Sequence, residues 1–216
     1  MSDIWFTSDL HLSHQAEFLW RPRGFANQKE MNEAIVENWN SVVKPEDEVY
    51  NLGDMALTDP EDALKYLRQL NGKHWWIYGN HDTNKKIDLF MDEVDNLFAI
   101  GYAWVLKEGK HSFYLSHYPT LTANFDTGKH FSQNVINLHG HIHSKNNWMI
   151  PTNPFIYHVG VDSHNCTPVH IDEILSDIKQ RWNEIGKLPQ NLKPEDTYPY
   201  EKKSFLKEKI ICSNGL

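Results

Sequence analysis

Short apolar runs alternate with amphipathic segments in the first half of the chain. Three strand-like runs, rich in β-branched and aromatic residues, cover residues 4–7, 48–52 and 73–78. Between them, residues 30–43 and 60–70 carry apolar positions at helical spacing, and Asp59 followed by Pro60 is a typical helix start. This β-α-β-α-β order predicts a sheet of parallel strands joined by crossover helices.

The second half of the chain shows the same alternation with less regularity. Further strands are predicted over residues 97–106, 112–115, 135–138, 155–161 and 168–171. Helices are predicted over residues 87–94 and 172–185, and a turn over residues 108–110 separates two of the strands. Residues 120–134 are polar and aperiodic, and a loop of that length in a compact domain is typical of a lid.

Length and composition favour one domain. The 216 residues suit a single core, which we assign to residues 1–187, while residues 188–216 form a C-terminal extension without a predicted structure. No apolar run approaches the ~20 residues that span a bilayer, and the N-terminus lacks the pattern of a signal peptide. Cys166 and Cys212 are far apart and match no metal or disulfide motif. We therefore expect a cytoplasmic protein with no membrane contact.

Charge and histidine content point in different directions. The formal net charge of −8 argues against a general affinity for nucleic acid, because such binding needs clustered Lys and Arg. Bound cations would weaken that argument, since two divalent ions add about four positive charges locally. The 13 histidines change the picture most, because histidine is the commonest metal ligand.

Residues able to bind metals or move protons directly follow five of the predicted strands. The motifs are S-D-L-H, G-D, G-N-H-D, S-H-Y-P and H-G-H-I-H, and they contribute Asp9, His11, Asp54, Asn80, His81, Asp82, His117, His141 and His143. In open α/β sheets, ligands bind at the carboxyl ends of the strands. One such motif alone is uninformative, because a single histidine is more often a hydrogen-bonded core or surface residue. Five junctions of the same character indicate a shared site.

The side chains at these junctions are suited to two divalent cations. The candidate ligand groups are Asp9, His11 and His143 for one ion and Asn80, His117 and His141 for the other. Asp54 is the natural bridge, because two ions ~3.5–4 Å apart need a shared carboxylate. In extended chain, residues i and i+2 face the same side, as expected for Asp9 with His11 and for His141 with His143. Nitrogen and oxygen ligands without thiolate favour Mn, Fe, Zn, Co or Ni over Ca or Mg, and Mn is the expected metal.

The order of these motifs resembles that of the calcineurin-like metallophosphoesterase superfamily. The resemblance runs from about residue 3 to residue 161, and residues 8–14 and 115–119 are closer still to small bacterial and phage-type members. It implies an α/β fold, a four-layer α-β-β-α sandwich of two mixed sheets with the metal site at one edge. It also implies the ligand assignments just made. Residues 120–134 and 188–216 lie outside the shared motifs, so they leave the substrate open.

The expected reaction is in-line hydrolysis of a phosphoester, in which a water or hydroxide bridging the two metals attacks phosphorus. A small or exposed phosphodiester is the favoured substrate, with monoester hydrolysis as a side activity. His81 is not needed as a ligand, so we assign it to the leaving group as general acid, a role that the family also gives to this histidine. Asp82 is expected to fix the tautomer and orientation of His81. His14 and Arg23, in the loop after the first strand, are candidate phosphate contacts.

Further substrate contacts and other functions stay open. Three aromatic residues are candidate contacts: Tyr118, Phe125 and Trp148. A metal-dependent nuclease is the alternative function, although no cluster of Lys and Arg lies near the motifs. A non-catalytic scaffold is a third hypothesis, but such a protein would be expected to lose ligands, and every ligand position is filled here. A phosphoester is the expected partner, nucleic acid only as a substrate, and no oligomeric state is predicted.

Overall fold

The fold combines strands and helices in the order expected from the sequence. A computed structural model describes residues 2–122 and 134–185. The strands within these residues are β1 (Ile4–Thr7), β2 (Glu48–Asn51), β3 (Lys73–Ile77), β4 (Leu97–Gly101), β5 (Ala103–Glu108), β6 (His111–Ser116), β7 (Val135–His139), β8 (Ile156–His158) and β9 (Val169–His170). The helices there are α1 (Glu17–Trp20), α2 (Gln28–Val42), α3 (Pro60–Leu67), α4 (Asn84–Glu93) and α5 (Ile171–Ile185).

Two mixed sheets form the centre of the molecule. The first has the strand order β4-β3-β2-β1-β9, in which β1 to β4 run parallel and β9 is antiparallel to β1. The second has the order β5-β6-β7-β8, in which β5 is antiparallel to β6 and the other neighbours are parallel. Helices α2, α3 and α4 connect the successive parallel strands of the first sheet. The predicted architecture, two mixed sheets flanked by helices, is confirmed.

Two apolar cores hold these layers together. The first lies between the helices and the first sheet and contains Met31, Ile35, Trp39, Leu64, Leu67, Phe90, Val49 and Trp76. The second joins both sheets to α5 and contains Phe6, Tyr50, Ile77, Phe113, Leu115, Ile136, Leu138, Ile174 and Ile178. Neighbouring residues of one strand enter different cores because successive side chains of a strand point to opposite faces. Both faces of the first sheet are therefore buried, which fixes the ends of its strands.

Residues 97–106 form two strands instead of the single strand expected from the sequence. β4 belongs to the first sheet and β5 to the second, so the chain passes between the sheets at Gly101 and Tyr102. Gly101 has a φ of 117°, a conformation that favours glycine. The apolar pattern continues through this break, and the glycine is the one local sign of it.

The first turns of the helices also differ from expectation. α2 begins at Gln28 because the Asn27 side chain accepts a hydrogen bond from Glu30 N at 2.9 Å and caps the helix. α1 is a single turn within a segment expected to be a polar loop.

Of the expected lid, only residues 120–122 and 134 are described, and the extension 188–216 lies outside the described residues. No helix of the described segments combines the length and apolarity needed to cross a membrane.

Candidate metal centre

The predicted metal ligands meet at the carboxyl ends of strands from both sheets. Those of the first sheet are Asp9 and His11 after β1, Asp54 after β2 and Asn80 after β3. Those of the second sheet are His117 after β6 and His141 and His143 after β7. Each of the seven lies within hydrogen-bond or ion-pair distance of another member of the set. The fold therefore brings together, at the strand ends, side chains that are distant in sequence.

Five of these candidate ligands have left-handed backbone conformations. The φ angle is 58° at Asp9, 48° at His11, 57° at Asp54, 72° at His141 and 46° at His143. The extended conformation that we assumed for the two i, i+2 pairs is therefore wrong. Such angles cost a residue other than glycine about 1–3 kcal/mol and persist where the surrounding structure enforces them. Local strain turns these side chains toward the site.

Asp9, His11 and His143 form the first ligand group. Their candidate donor atoms all lie within 4.8 Å of one another. His11 Nε2 is 3.1 Å from His143 Nε2, and these nitrogens lie 4.0 Å and 3.8 Å from Asp9 Oδ1. The Asp9 and His11 side chains are buried, whereas that of His143 is 38% exposed. The first group is therefore open to solvent on the side of the second sheet.

Asn80, His117 and His141 form the second ligand group. Asn80 Oδ1 lies 2.9 Å from His117 Nε2 and 2.9 Å from His141 Nδ1. On the other side of its ring, His117 Nδ1 donates to Leu52 O at 2.8 Å. That backbone carbonyl fixes the tautomer, because the nitrogen that donates must carry the proton. His117 Nε2 is left with its lone pair facing the group.

The Asp54 carboxylate lies between the two groups. Its Oδ2 is 3.7 Å from His11 Nε2 and 3.5 Å from His117 Nε2. Its Oδ1 accepts a hydrogen bond from His81 N at 2.9 Å. Asp9 also forms a triad of candidate donor atoms with Asp54 and His117. Both carboxylates thus reach toward both groups, as a ligand shared by two ions must.

The hydrogen-bonding chemistry of the second group fits a cation. With Nδ1 protonated toward Leu52, His117 Nε2 is an acceptor in the neutral ring. Asn80 Oδ1, 2.9 Å away, is also an acceptor. Two acceptors at this distance repel one another unless a cation or a proton lies between them. The residues present are therefore suited to hold a divalent ion.

Burial sets the charge state of the first group. Desolvation raises the pKa of Asp9 and lowers the pKa of His11 well below its usual range. Burial also acts to lower the pKa of His143, but its hydrogen bond to Asp162 and the charge of Asp9 raise that pKa above the ordinary value. A neutral imidazole is the form that binds metals. Burial therefore keeps His11 ready as a ligand, and a cation beside Asp9 would offset the cost of its buried charge.

Two glycines allow the ligands to approach one another closely. A Cβ atom at Gly79 would collide with the carboxylate and backbone nitrogen of Asp54. One at Gly140 would collide with Ser8 and with the carboxylate of Asp9. Gly79 directly precedes Asn80 in the motif G-N-H-D, and Gly140 directly precedes His141 in the motif G-H-I-H. This explains why glycine opens both motifs.

His81 and Asp82 lie beside the ligands in an arrangement that differs from the expected one. The His81 ring is half-buried and packs against His11, with ring centroids 5.6 Å apart. Asp82 Oδ2 accepts hydrogen bonds from Asp54 N at 2.8 Å, Gly79 N at 2.8 Å and Trp76 Nε1 at 3.1 Å. In the segments that the structure describes, no hydrogen bond joins Asp82 to the His81 ring. The carboxylate instead fixes the two turns that carry Asp54 and Asn80.

Two of the predicted substrate contacts flank the ligand groups. His14 is 8% exposed and packs against His11, with ring centroids 6.0 Å apart, beside the exposed ring of Phe18. Tyr118 is 53% exposed and packs edge-on against His141, with centroids 4.6 Å apart. Each ligand group thus has an exposed aromatic residue close to it.

The other predicted contacts lie elsewhere. Trp148 packs against the second core, and the Arg181 guanidinium lies 5.5 Å from its ring centroid. Phe125 is outside the described residues. Arg23 lies behind the first ligand group with its side chain only 2% exposed. The guanidinium therefore faces the protein interior and not the open side of the site.

Asp162 is the partner of Arg23, and the sequence interpretation did not include it. Arg23 Nε and Nη2 donate to the two oxygens of Asp162 at 2.9 Å and 3.0 Å. Asp162 Oδ2 also accepts a hydrogen bond from His143 Nδ1 at 2.9 Å. Although burial acts in the opposite direction, these bonds hold the pKa of Asp162 below its usual range. Asp162 directly follows the strand predicted over residues 155–161, so the rule that found the ligands could have found it.

Comparison with known proteins identifies the chain's relatives. It matches the model of the calcineurin-like phosphoesterase family over residues 2–208. It is 31% identical over 188 residues to an uncharacterized protein of Methanocaldococcus jannaschii, covering 83% of this chain and 93% of that protein. It is 31% identical over 200 residues to the Gene 66 protein of Mycobacterium phage D29, covering 83% and 99%. The crystal structure of a protein of unknown function from Aquifex aeolicus shares the fold, with a TM-score of 0.61 and 23% identity over 82% of this chain and 99% of that one.

Fold, site and family model together define an enzyme that hydrolyses phosphoesters. The chain belongs to the calcineurin-like phosphoesterase family, which confirms the resemblance seen in its motifs. Membership implies divalent metal ions, and the two ligand groups are candidate sites for them. The substrate is accordingly a phosphoester.

Proposed function

We propose that the protein is a phosphodiesterase that depends on two divalent transition-metal ions, with Mn expected and Fe, Zn, Ni or Co as alternatives. The observation that carries this proposal is the position of Asp54, whose Oδ2 lies within 3.7 Å of His11 Nε2 and 3.5 Å of His117 Nε2. One carboxylate within reach of both ligand groups is what two ions ~3.5–4 Å apart require. The ligands would be Asp9, His11, Asp54, Asn80, His117, His141 and His143.

Two ions bound there would supply an activated water and neutralise negative charge on the phosphoryl oxygens. The chain's own contribution is positioning. The Leu52 carbonyl aims His117 Nε2 into the site, and Asp82 holds the Asp54 and Gly79 backbone. These groups are fixed before substrate arrives, so little reorganisation is needed during the reaction.

We assign His81 to the leaving group. Its main chain is anchored on both sides, because His81 N donates to Asp54 Oδ1 at 2.9 Å and its carbonyl accepts from Lys86 Nζ at 2.9 Å. The half-buried ring beside His11 is therefore held at the edge of the centre without a ring hydrogen bond to Asp82. A ring in this position is suited to give a proton to the departing oxygen.

The surroundings of the site favour a small or exposed phosphodiester. Phe18 and Tyr118 are 74% and 53% exposed and stand beside the first and second ligand groups, where they could contact the two sides of a diester. His14 is retained as a substrate contact, whereas Arg23, whose guanidinium is used within the protein, is not. The net charge of −8 disfavours a long polyanion.

The test is reconstitution of metal-free enzyme. Chelated protein should regain hydrolysis of bis(p-nitrophenyl) phosphate as Mn²⁺ is added, with saturation at two ions per chain. Full activity in the presence of chelator, or saturation at one ion, would contradict the dinuclear centre. A screen of cyclic nucleotides, dinucleotides, monoesters and oligonucleotides would then define the substrate. The nuclease alternative requires preferred cleavage of oligonucleotides with a steep dependence on salt.

A further inference from the structure

The ion pair behind the first ligand group contacts Asp9, His143 and the backbone carbonyl just before His11. Arg23 Nη2 donates to Asp9 O at 2.8 Å, and Arg23 Nη1 donates to Leu10 O at 3.1 Å, directly before His11. Through Asp162, the same pair also contacts the ring of His143, whose Nδ1 donates to Asp162 Oδ2 at 2.9 Å. One buried guanidinium therefore connects the two turns that carry these ligands.

The two carbonyl contacts act on a strained turn. Asp9 and His11 both have left-handed φ angles, 58° and 48°, and Leu10 lies between them. A conformation of this kind persists only where neighbouring groups enforce it. Because Arg23 binds the carbonyls of Asp9 and Leu10, it opposes relaxation of the turn that would swing both ligands away from the site.

The contact with His143 sets the direction of its lone pair. Arg23 already matches the charge of Asp162, whose Oδ2 accepts a hydrogen bond from His143 Nδ1. Because Nδ1 carries the proton in that bond, the neutral form of the ring that binds a metal has its lone pair on Nε2, 3.1 Å from His11 Nε2. Partners of this kind orient a ligating histidine and raise its basicity.

The second ligand group is supported in a different way. Leu52 O and Asn80 orient the His117 ring, and Asn80 also contacts His141. Among the described residues, neither member of the Arg23–Asp162 pair forms a hydrogen bond or an ion pair with Asn80, His117 or His141. The two groups therefore have separate supports, and only one of them depends on a buried ion pair.

We propose that Arg23 and Asp162 are positioning residues that set the affinity of the Asp9–His11–His143 group for its ion, independently of the second group. The inference rests on the two-ion centre of the proposed function. A buried ion pair is weak evidence of stability, since apolar residues of similar volume often serve the fold equally well. Its contacts with one ligand group explain its presence here.

The first experiment is a Mn²⁺ titration of metal-free Asp162→Asn enzyme by calorimetry. We expect one of the two ions to bind about 10- to 100-fold more weakly, the usual effect of losing such a hydrogen bond, and the other to bind as in wild type. Two-bond ¹H–¹⁵N correlation spectra of the metal-free protein, recorded at a pH where the His143 ring is neutral, should show one His143 tautomer in wild type and a mixture in the variant. A role limited to folding would not change that tautomer.

Arg23→Lys tests the other half of the pair. Lysine keeps the charge but loses the planar fork that binds Asp162 and both carbonyls. We therefore expect the affinity for the same ion to fall while the affinity for the other ion stays unchanged. Arg21→Gln is the matched control, because Arg21 is two positions away, 74% exposed and paired with Glu17 at the surface. The control should bind both ions as wild type does.

The proposal would be overturned if folded variants lost affinity equally for both ions. It would also be overturned if both the affinities and the His143 tautomer were unchanged. If Asp162→Asn fails to fold, Asp162→Glu provides the same readouts, because it keeps a carboxylate for Arg23 while displacing it from His143. Wild-type protein that binds fewer than two ions would instead contradict the dinuclear centre. The titration of wild type therefore separates failure of this inference from failure of the proposed function.

Discussion

The two sheets contribute different chemistry to the centre. The first sheet supplies both candidate carboxylates, Asp9 and Asp54, which are 0% and 2% exposed, together with His11 and Asn80. The second sheet supplies imidazoles, and two of them, His141 and His143, lie on its exposed side. A buried carboxylate is costly without a cation, whereas a neutral imidazole tolerates contact with water. From this contrast, we expect the first sheet to set the charge of the candidate centre and the second sheet to control access to it.

The sharpest test of this contrast is Asp54→Asn. Removing the shared charge should lower kcat/KM for an aryl phosphodiester by about 10³-fold or more, because loss of several kcal/mol of Lewis-acid stabilisation corresponds to that factor. Metal content measured on the purified variant should fall as well. Asp92→Asn, on the exposed face of α4, is the control and should leave both values unchanged. A variant that kept both ions and full activity would show that the first sheet does not supply the bridge.

His81→Ala separates a proton donor from a ligand. We expect kcat to fall by about 10²-fold, the lower end of the range for a general acid, while two ions remain bound. The loss should shrink for a substrate with a better leaving group, because protonation then matters less. Steady-state kinetics with a series of aryl phosphodiesters, alongside metal analysis, checks this. An empty metal site in the variant would make His81 a ligand.

Acid should destabilise the first sheet through His74 of β3. This ring packs on Trp39, with centroids 5.1 Å apart, and burial lowers its pKa from 6.5 to about 4. The unfolded chain therefore binds the proton more readily, so stability is complete above pH ~6.5 and falls as the pH drops toward ~4, by about 3 kcal/mol. Urea unfolding of His74→Phe should show a correspondingly smaller loss over this window. An unchanged pH profile would exclude His74 as its source.

The smallest effect should come from a substitution on the side of the site that is open to solvent. Tyr118→Ala removes an exposed ring beside His141, so we expect KM for an aromatic diester to rise by about 5-fold, since one stacking contact contributes ~1 kcal/mol, with kcat little changed. Tyr118→Phe, which keeps the ring, should restore the wild-type KM. A fall in kcat in both variants would place Tyr118 in the chemistry instead of in substrate binding.

The strand ends were predictable because each carries a local signal. Gly53-Asp54 and Gly79-Asn80 pair a glycine with a ligand, and their strands have clear apolar patterns. The change of sheet at Gly101 was not predictable, because the apolar pattern runs through it unchanged. Segment length and residue type identify a strand, but not which sheet it joins.

Contacts between distant segments were the other part that sequence reasoning could not reach. Arg23 and Asp162 are 139 positions apart, and a buried ion pair leaves no periodic trace in either segment. The sequence leaves Arg23 as either a candidate phosphate contact or a solvated loop residue, because an arginine in a polar loop is normally exposed. Asp82 was matched with its neighbour His81, but the fold brings the Asp54 and Gly79 nitrogens closer to it.

The left-handed angles at Asp9, His11, Asp54, His141 and His143 have a consequence for engineering. On conformational grounds alone, glycine or asparagine would suit each of these positions better. Selection for heat resistance without selection for turnover would therefore favour replacing them one after another. The chains that survived such a campaign would melt at higher temperatures and leave phosphoesters uncut.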